Sequence, residues 1–283
     1  MPGSDRFVSL NGLRLHFREW GQPGAGAVVL LHGGSAHAHW WDLFAEAIAD
    51  RYHVYALDLR GHGDSEHARP AAYRLEDYAQ DLGAFLDGTV RDSVRLIGHS
   101  LGALVATLYA AAAPQKIRAL VIVDTSLRIT AAGARYMTRL RRFPQPVYRT
   151  REDALRRFRL LPTHTAAAAA VLEHVAACGV RQLADGQWTL KFDREAMASN
   201  EPRDLAPLIA RLERPLLLVR GAHSTLLSAS ALAALQASAP HARAAEIAHA
   251  HHHVMLDNPP DFTRVVRAFL EQCDAPLRRA LAD

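Results

Sequence analysis

Four short stretches of the chain, residues 27–31, 54–57, 94–97 and 119–123, are apolar in runs rather than in alternation, with Arg95 the one charged residue among them. A strand with one wet face alternates; a strand covered on both faces does not, so these runs predict the inner strands of a sheet with helices on both sides. Helical patterns lie between them, at 75–86 and in the alanine-rich stretch 101–113. Strand alternating with helix argues for a mostly parallel sheet, which requires crossover connections. Ahead of the runs, 7–10 and 13–20 flank Asn11-Gly12, a pair that accepts the positive φ angles of a two-residue hairpin turn, so the sheet opens with an antiparallel pair.

From residue 127 to 212 the rhythm changes. Strand-like runs vanish and arginine, alanine and proline dominate. This segment reads as an inserted helical cap, and its alanine run at 166–170 continues at helical spacing through Val171, Leu172 and Val175. Strand patterns resume at 215–219 and 244–248, and 259–272 reads as a closing helix with proline in its first turn. The expected organisation is a core of 1–126 and 213–283 interrupted by a cap of 127–212.

With 49% hydrophobic and 22% charged residues, the 283-residue chain is neither disordered nor a fibrous or disulfide scaffold. Cys178 and Cys273 lack any paired or ligand-like spacing, which fits a reducing compartment. The start of the chain carries no apolar signal core and no 18-residue uncharged apolar run occurs, so a cytoplasmic protein with no membrane span is expected. Of 33 basic residues only Lys116 and Lys191 are lysine; no aromatic-interleaved basic motif accompanies the net charge of +4, and no nucleic-acid partner is expected. Ten arginines between 128 and 159 face only Glu152 and Asp153 in the same stretch. They are either a solvated cap surface or a field that steers an anionic small-molecule substrate.

Chemistry concentrates at Gly98-His99-Ser100-Leu101-Gly102, set between the apolar strand and the alanine-rich helix. A G-x-S-x-G sequence there puts Ser100 on a sharp strand-to-helix turn that lifts its hydroxyl into a cleft; serine is also a favoured helix N-cap. A serine hydroxyl needs a base to become a nucleophile, and late in the chain His249, His251, His252 and His253 cluster. A metal site is the competing use of such a cluster, but adjacent residues point in different directions and no carboxylate or cysteine pattern accompanies them; no metal is expected.

Leu31-His32-Gly33-Gly34, Asp58-Leu59-Arg60-Gly61-His62-Gly63-Asp64-Ser65, the pentapeptide, and His252-His253-Val254-Met255-Leu256-Asp257-Asn258-Pro259 together resemble the capped α/β-hydrolase family. The resemblance covers the chain apart from the cap. It implies a mostly parallel eight-stranded sheet, and a base in the pattern Gly-His-x-x-x-Leu-x-x-Pro, which Leu256 and Pro259 align with His252. It implies an oxyanion hole of backbone N–H groups at Leu101 and Gly34, with Gly34 allowing close approach of its loop, and it makes His32 and Trp40-Trp41 loop anchors and Asp58 and Arg60 a structural turn.

The acid that orients the base usually follows the strand before it, in a segment such as Gly-x-x-Asp or Gly-x-x-Ser-Asp. Here the segment reads Gly221-Ala222-His223-Ser224-Thr225. Asp124, at the end of the strand 119–123, is the substitute, since the site lies at this edge of the sheet; an aspartate there also serves as a turn cap. The resulting expectation is a Ser100–His252–Asp124 hydrolase of a small ester, lactone or related carbonyl compound, without a cofactor. The alternatives are a cofactor-free dioxygenase of a heteroaromatic ring using a His–Asp pair, and a ligand-binding receptor with vestigial turnover. His99, Trp188 and Phe143 are the candidate substrate-binding residues, with Tyr136, Met137, Tyr148 and Phe158 further candidates for an apolar cap pocket.

Overall fold

The computed structural model describes residues 3–198 and 201–280; residues 1–2, 199–200 and 281–283, which fall within the core and cap ranges above, lie outside the described residues. Eight strands form one sheet: β1 (Ser4–Leu10), β2 (Leu13–Trp20), β3 (Gly26–Leu31), β4 (Tyr52–Leu57), β5 (Val94–His99), β6 (Ile117–Val123), β7 (Leu216–Gly221) and β8 (Arg243–Ile247). Their spatial order is β1-β2-β4-β3-β5-β6-β7-β8. β2 runs antiparallel to both β1 and β4, and every other neighbouring pair is parallel. The opening hairpin turns at Asn11 (φ 50°) and Gly12 (φ 77°), the left-handed pair that a two-residue turn of this kind demands.

The apolar runs make sense in this architecture because successive residues feed two different cores. Val29 and Leu31 pack with Leu96, Leu120 and Ile122 under α2 (Leu75–Phe85) and α3 (Leu101–Ala112). Val28 and Leu30 pack with Ile97, Val121 and Val123 under α10 (Pro259–Ala280) and α1 (Asp42–Ile48), which contribute Phe262, Val266, Phe44 and Ile48. Arg95, the charge inside β5, is buried and forms an ion pair with Asp274 of α10. After α8 (Ala229–Ser238) and α9 (Val254–Asp257), the closing helix α10 runs to Ala280, beyond the expected 272, and β8 is an edge strand with only Ile247 fully buried.

Residues 127–212 are not the purely helical segment that the sequence suggests. They hold helices α4 (Ala131–Arg141), α5 (Arg151–Arg157), α6 (Ala169–Cys178) and α7 (Ala206–Ala210), but also a three-stranded antiparallel sheet of Val147–Tyr148, Trp188–Leu190 and Val180–Gln182. A two-stranded ribbon, Arg128–Ile129 with Arg203–Asp204, joins the two ends of the segment. Strands of two or three residues are too short to show a period. The alanine run also starts its helix late: the Asp257 carboxylate accepts the Ala166 N–H at 2.9 Å and holds this stretch extended until Ala169. Among the described residues no helix is long and apolar enough to cross a membrane.

Candidate active site

Parallel strands bring their C-terminal ends to one edge, and the chemistry-bearing residues meet there. β5 ends at His99, and Ser100 follows with φ 51° and ψ −114°, outside the regions that a non-glycine residue adopts freely. Such a conformation costs on the order of 1–3 kcal/mol and persists because its surroundings over-determine it. The Ser100 N–H donates to the Val123 carbonyl at 3.0 Å, and the Gly102 N–H to the His32 carbonyl at 3.1 Å. The glycines on either side are sterically required: a Cβ on Gly98 would lie 2.4 Å from the Gly102 carbonyl oxygen, and one on Gly102 would lie 2.4 Å from that of Leu31. Although Ser100 occupies the N-cap of α3, its hydroxyl makes no capping bond, which leaves it available to the cleft.

β6 ends one strand over, and Asp124 is fully buried with φ 50°. Its carboxylate is surrounded by donors. Oδ1 accepts the Gly221 N–H at 3.0 Å; Oδ2 accepts the Ser224 hydroxyl at 2.6 Å and His252 Nδ1–H at 2.7 Å. Burial pushes the Asp124 carboxyl up to about 7, and the Ser224 hydroxyl and Gly221 N–H, which favour the ionised form, offset only part of that. Burial, with the adjacent His253 ring, holds His252 below the ordinary histidine value, so its imidazole is neutral at neutral pH. With Nδ1 donating to the carboxylate, Nε2 carries the lone pair.

The rest of the histidine cluster has other duties. His253 Nε2–H donates to the Pro162 carbonyl at 2.7 Å, tying this loop to the 127–212 segment, and His251 and His249 lie on the solvent side. His99, a candidate for substrate contact, is 1% exposed and donates from Nε2 to the His252 carbonyl at 2.9 Å; its ring centroid is 4.5 Å from that of His252. It supports the backbone of His252 from below. The loop carrying His252 can lie on β7 because Gly221 has no side chain: a Cβ there would stand 2.1 Å from the His251 carbonyl oxygen.

Leu101 opens α3, where its N–H has no intrahelical acceptor, and Gly34 follows β3 in the facing loop. Contrary to expectation, Gly34 is not the crowded position, since a Cβ there would meet nothing within 4 Å; at Gly33 it would lie 2.8 Å from His99 Nδ1 and 3.2 Å from Ser100 Cβ. His32 accepts the Leu59 N–H on Nε2 at 3.0 Å and donates from Nδ1 to the Gly33 carbonyl at 2.7 Å, an anchor for this loop. Asp58 accepts from the Ala38 N–H, the Asp64 N–H and His16, and Arg60 forks onto Asp81, so both are structural. Trp40 packs edge-on to His253 at 5.1 Å between centroids, and Trp41 is fully buried against Phe44 and Phe262.

Phe143 is 57% exposed, and Trp188 lies on the small sheet with the Arg151 guanidinium 5.9 Å from its ring. No hydrogen bond or ring contact among the described residues links either to Ser100, Asp124 or His252. Tyr136 and Met137 are exposed, Tyr148 is half-buried, and Phe158 packs on the core that holds α1 and α10. An open cavity of about 680 Å³ in the 127–212 segment is lined by Tyr148, Arg149, Asp153, Arg157 and Arg159, and none of the three edge residues reaches it. What sequence reasoning missed is Ser224. It was visible only as the wrong residue at the usual acid position; in the fold its hydroxyl reaches the acid that sits elsewhere.

Three sets of side chains among the described residues bring metal-ligand donors within 4.8 Å of one another: His99 with His252 and His253, His16 with Asp58 and Asp64, and His39 with His174 and Cys178. The first is His252, the candidate base, with its neighbours, and the second is the turn that holds Asp58.

A sequence model of the alpha/beta hydrolase fold matches residues 26–259. The chain is 27% identical over 281 residues to 2-(acetamidomethylene)succinate hydrolase of Mesorhizobium japonicum, covering 95% of this chain and 97% of that one. It is 36% identical over 117 residues to N-formylmaleamate deformylase of Pseudomonas putida, a match that spans 41% of this chain and only 43% of that protein. Among solved structures, an alpha/beta hydrolase from Novosphingobium aromaticivorans superposes with a TM-score of 0.80 at 28% identity, covering 95% of this chain and 98% of the other. With the sheet order, the strand-to-helix turn at Ser100 and these relatives in agreement, the chain belongs to the α/β-hydrolase fold family and is similar to its hydrolases.

Proposed function

We propose that the protein is a serine hydrolase that cleaves a small carboxylic ester, lactone or related carbonyl compound through an acyl-enzyme. The observation that carries this reading is the 2.7 Å bond from His252 Nδ1 to Asp124, at the sheet edge where Ser100 sits on its strained turn. Ser100 Oγ attacks the substrate carbonyl carbon as His252 Nε2 takes its proton, and the charge that develops on the carbonyl oxygen is held by the N–H groups of Leu101 and Gly34. Two such preset donors are worth roughly 3 kcal/mol each in barrier height. The tetrahedral adduct collapses as His252 returns the proton to the leaving oxygen. Water, deprotonated by His252, then cleaves the acyl-enzyme and restores Ser100. Asp124 keeps the imidazole in the required tautomer and stabilises it when protonated; Ser224 and the Gly221 N–H hold that carboxylate in place.

We read residues 127–212 as a cap that borders this cleft, since His253 meets Pro162, and Thr165 and Ala166 meet Asp257. The names of two relatives, N-formylmaleamate deformylase and 2-(acetamidomethylene)succinate hydrolase, bring carboxylate-bearing acyl compounds among the candidate substrates. The arginines of the cap favour such an anion, in which case KM rises with salt; a salt-independent KM removes that refinement and leaves the chemistry intact.

Steady-state and rapid-mixing assays with p-nitrophenyl acetate test the reading. A burst of about one nitrophenolate per chain, absent in Ser100→Ala, is expected for an acyl-enzyme. A second reading rests on the place of the acid after β6 instead of β7: a His–Asp pair that deprotonates a heteroaromatic ring for cofactor-free dioxygenation. Absence of the burst, together with oxygen uptake in the presence of a hydroxyquinolone, would favour it.

A further inference from the structure

Away from Ser100, the 3-10 turn Ala38–Trp41 and the helix α6 share a cluster of donors that the hydrolase reading does not use. His174 and Cys178 are four residues apart on α6 and so lie on one face of it. Across from them stands His39 on the turn, with the two imidazole centroids 5.8 Å apart. One ligand atom from each of His39, His174 and Cys178 lies within 4.8 Å of the other two. Asp42 stands beside the two imidazoles, outside the set of three: its Oδ2 meets His39 Nδ1 at 2.9 Å and His174 Nε2 at 2.7 Å, while its Oδ1 is held by the Arg18 guanidinium. Cys178 is half-buried and not in a disulfide, and His174 is half-exposed, which gives an ion a path from solvent.

We propose that His39, His174 and Cys178, with Asp42 as the fourth ligand, form a site for a thiophilic divalent metal, zinc first, that pins α6 of the 127–212 segment to the turn carrying Trp40.

The donor set is the argument for zinc. Two imidazoles, a thiolate and a carboxylate suit a four-coordinate borderline-soft ion, whereas calcium and magnesium call for oxygen donors only. Ligands at about 2.0–2.3 Å around a tetrahedral centre stand roughly 3.3–3.8 Å from one another, so the His39, His174 and Cys178 atoms, now within 4.8 Å of one another, need to draw in by at most about 1.5 Å and the Asp42 oxygen to back away from the two imidazole nitrogens by roughly half an ångström, both within reach of side-chain rotation. Two ligands one helical turn apart and a third from a separate element are how such sites join pieces of chain. The two elements are already in register, because His37 on the same turn donates to the Val175 carbonyl of α6 at 2.9 Å. The position also matters for the rest of the molecule: Trp40, the residue after His39, packs on His253 next to the base. None of its residues has a part in the proposed hydrolytic reaction, so the proposal does not depend on that one.

Cobalt is the probe. The untagged full chain, stripped with chelator and kept reduced, is titrated with Co²⁺. The expected result is one cobalt per chain with a sulfur-to-cobalt charge-transfer band in the near ultraviolet and strong tetrahedral bands in the visible, displaced by one equivalent of Zn²⁺. Cys178→Ser should lose the charge-transfer band and bind at least about 10-fold more weakly, and His174→Gln, at a half-exposed position, should weaken binding similarly while the circular dichroism of the metal-free chain stays that of the native fold. No binding below about 0.1 mM metal, cobalt bound without the sulfur band, or a band that survives in Cys178→Ser would each overturn the proposal.

Discussion

At the C-terminal edge of the sheet, charged groups are buried and each is bonded to a partner inside the fold; across residues 127–212 they are mostly at the surface. Asp58 and Asp124 are 1% and 0% exposed, and between them they accept six hydrogen bonds. In the 127–212 segment, by contrast, Arg156 meets Asp153 and Arg128 meets Asp204 in pairs open to water, and Phe143, Tyr136 and Val147 leave apolar surface exposed. A carboxylate desolvated at that edge has one geometry that satisfies it, so the edge is rigid and its residues are not interchangeable. An exposed ion pair trades water for a partner at little gain, and the segment that carries such pairs is free to vary.

The contrast breaks most sharply where the chemistry is. Asp124→Asn leaves the shape but presents an amide N–H₂ to a site lined by donors; kcat should fall by about 10³–10⁴ with KM little changed, and a loss below tenfold would remove Asp124 from its role. Ser224→Ala, which removes one of three donors, should cost about tenfold in kcat, since the carboxylate keeps Gly221 and His252.

Stability comes next. Asp58 is held below the ordinary carboxylate range: burial opposes ionisation, and the bond and charge of His16 more than offset it, with His32 and His37 adding to the effect. A depressed folded value means stability that is present above pH about 4 and lost as the pH falls through and below that value. Asp58→Asn should therefore destabilise the protein by about 2–4 kcal/mol at pH 7, and the difference from the native chain should shrink in urea melts carried toward pH 3. A variant gap that stays constant from pH 7 to 3 would contradict a charged Asp58. The smallest effect belongs to the other region: Arg156→Ala, at a side chain 72% exposed, should change stability by less than about 0.5 kcal/mol, and a larger loss would contradict an ion pair open to water.

The same difference governs what could be read without coordinates. Burial on both faces writes the stretches 27–31, 54–57 and 119–123 within β3, β4 and β6 as unbroken apolar runs, and the glycines around Ser100 mark a crossing too tight for a side chain, so the sheet and the turn at Ser100 are legible. Arg95 interrupts β5 because its partner, Asp274, lies 179 residues away, beyond any local pattern. The short strands at Val147–Tyr148 and Arg203–Asp204 leave no period to find, and their pairing is decided by tertiary contacts. At the site, the motif spacing selects His252 over His253, and the structure bonds His252, not His253, to Asp124. Ser224 was illegible because the carboxylate it bonds lies 100 positions away.

The central claim is that His252 and Asp124 activate Ser100. Intact mass spectrometry after incubation with a fluorophosphonate probe tests it directly, on the native chain and on Ser100→Ala. One adduct per native chain that disappears in the variant is the predicted result; a folded native chain that takes no adduct, or an adduct that persists in Ser100→Ala, would contradict it.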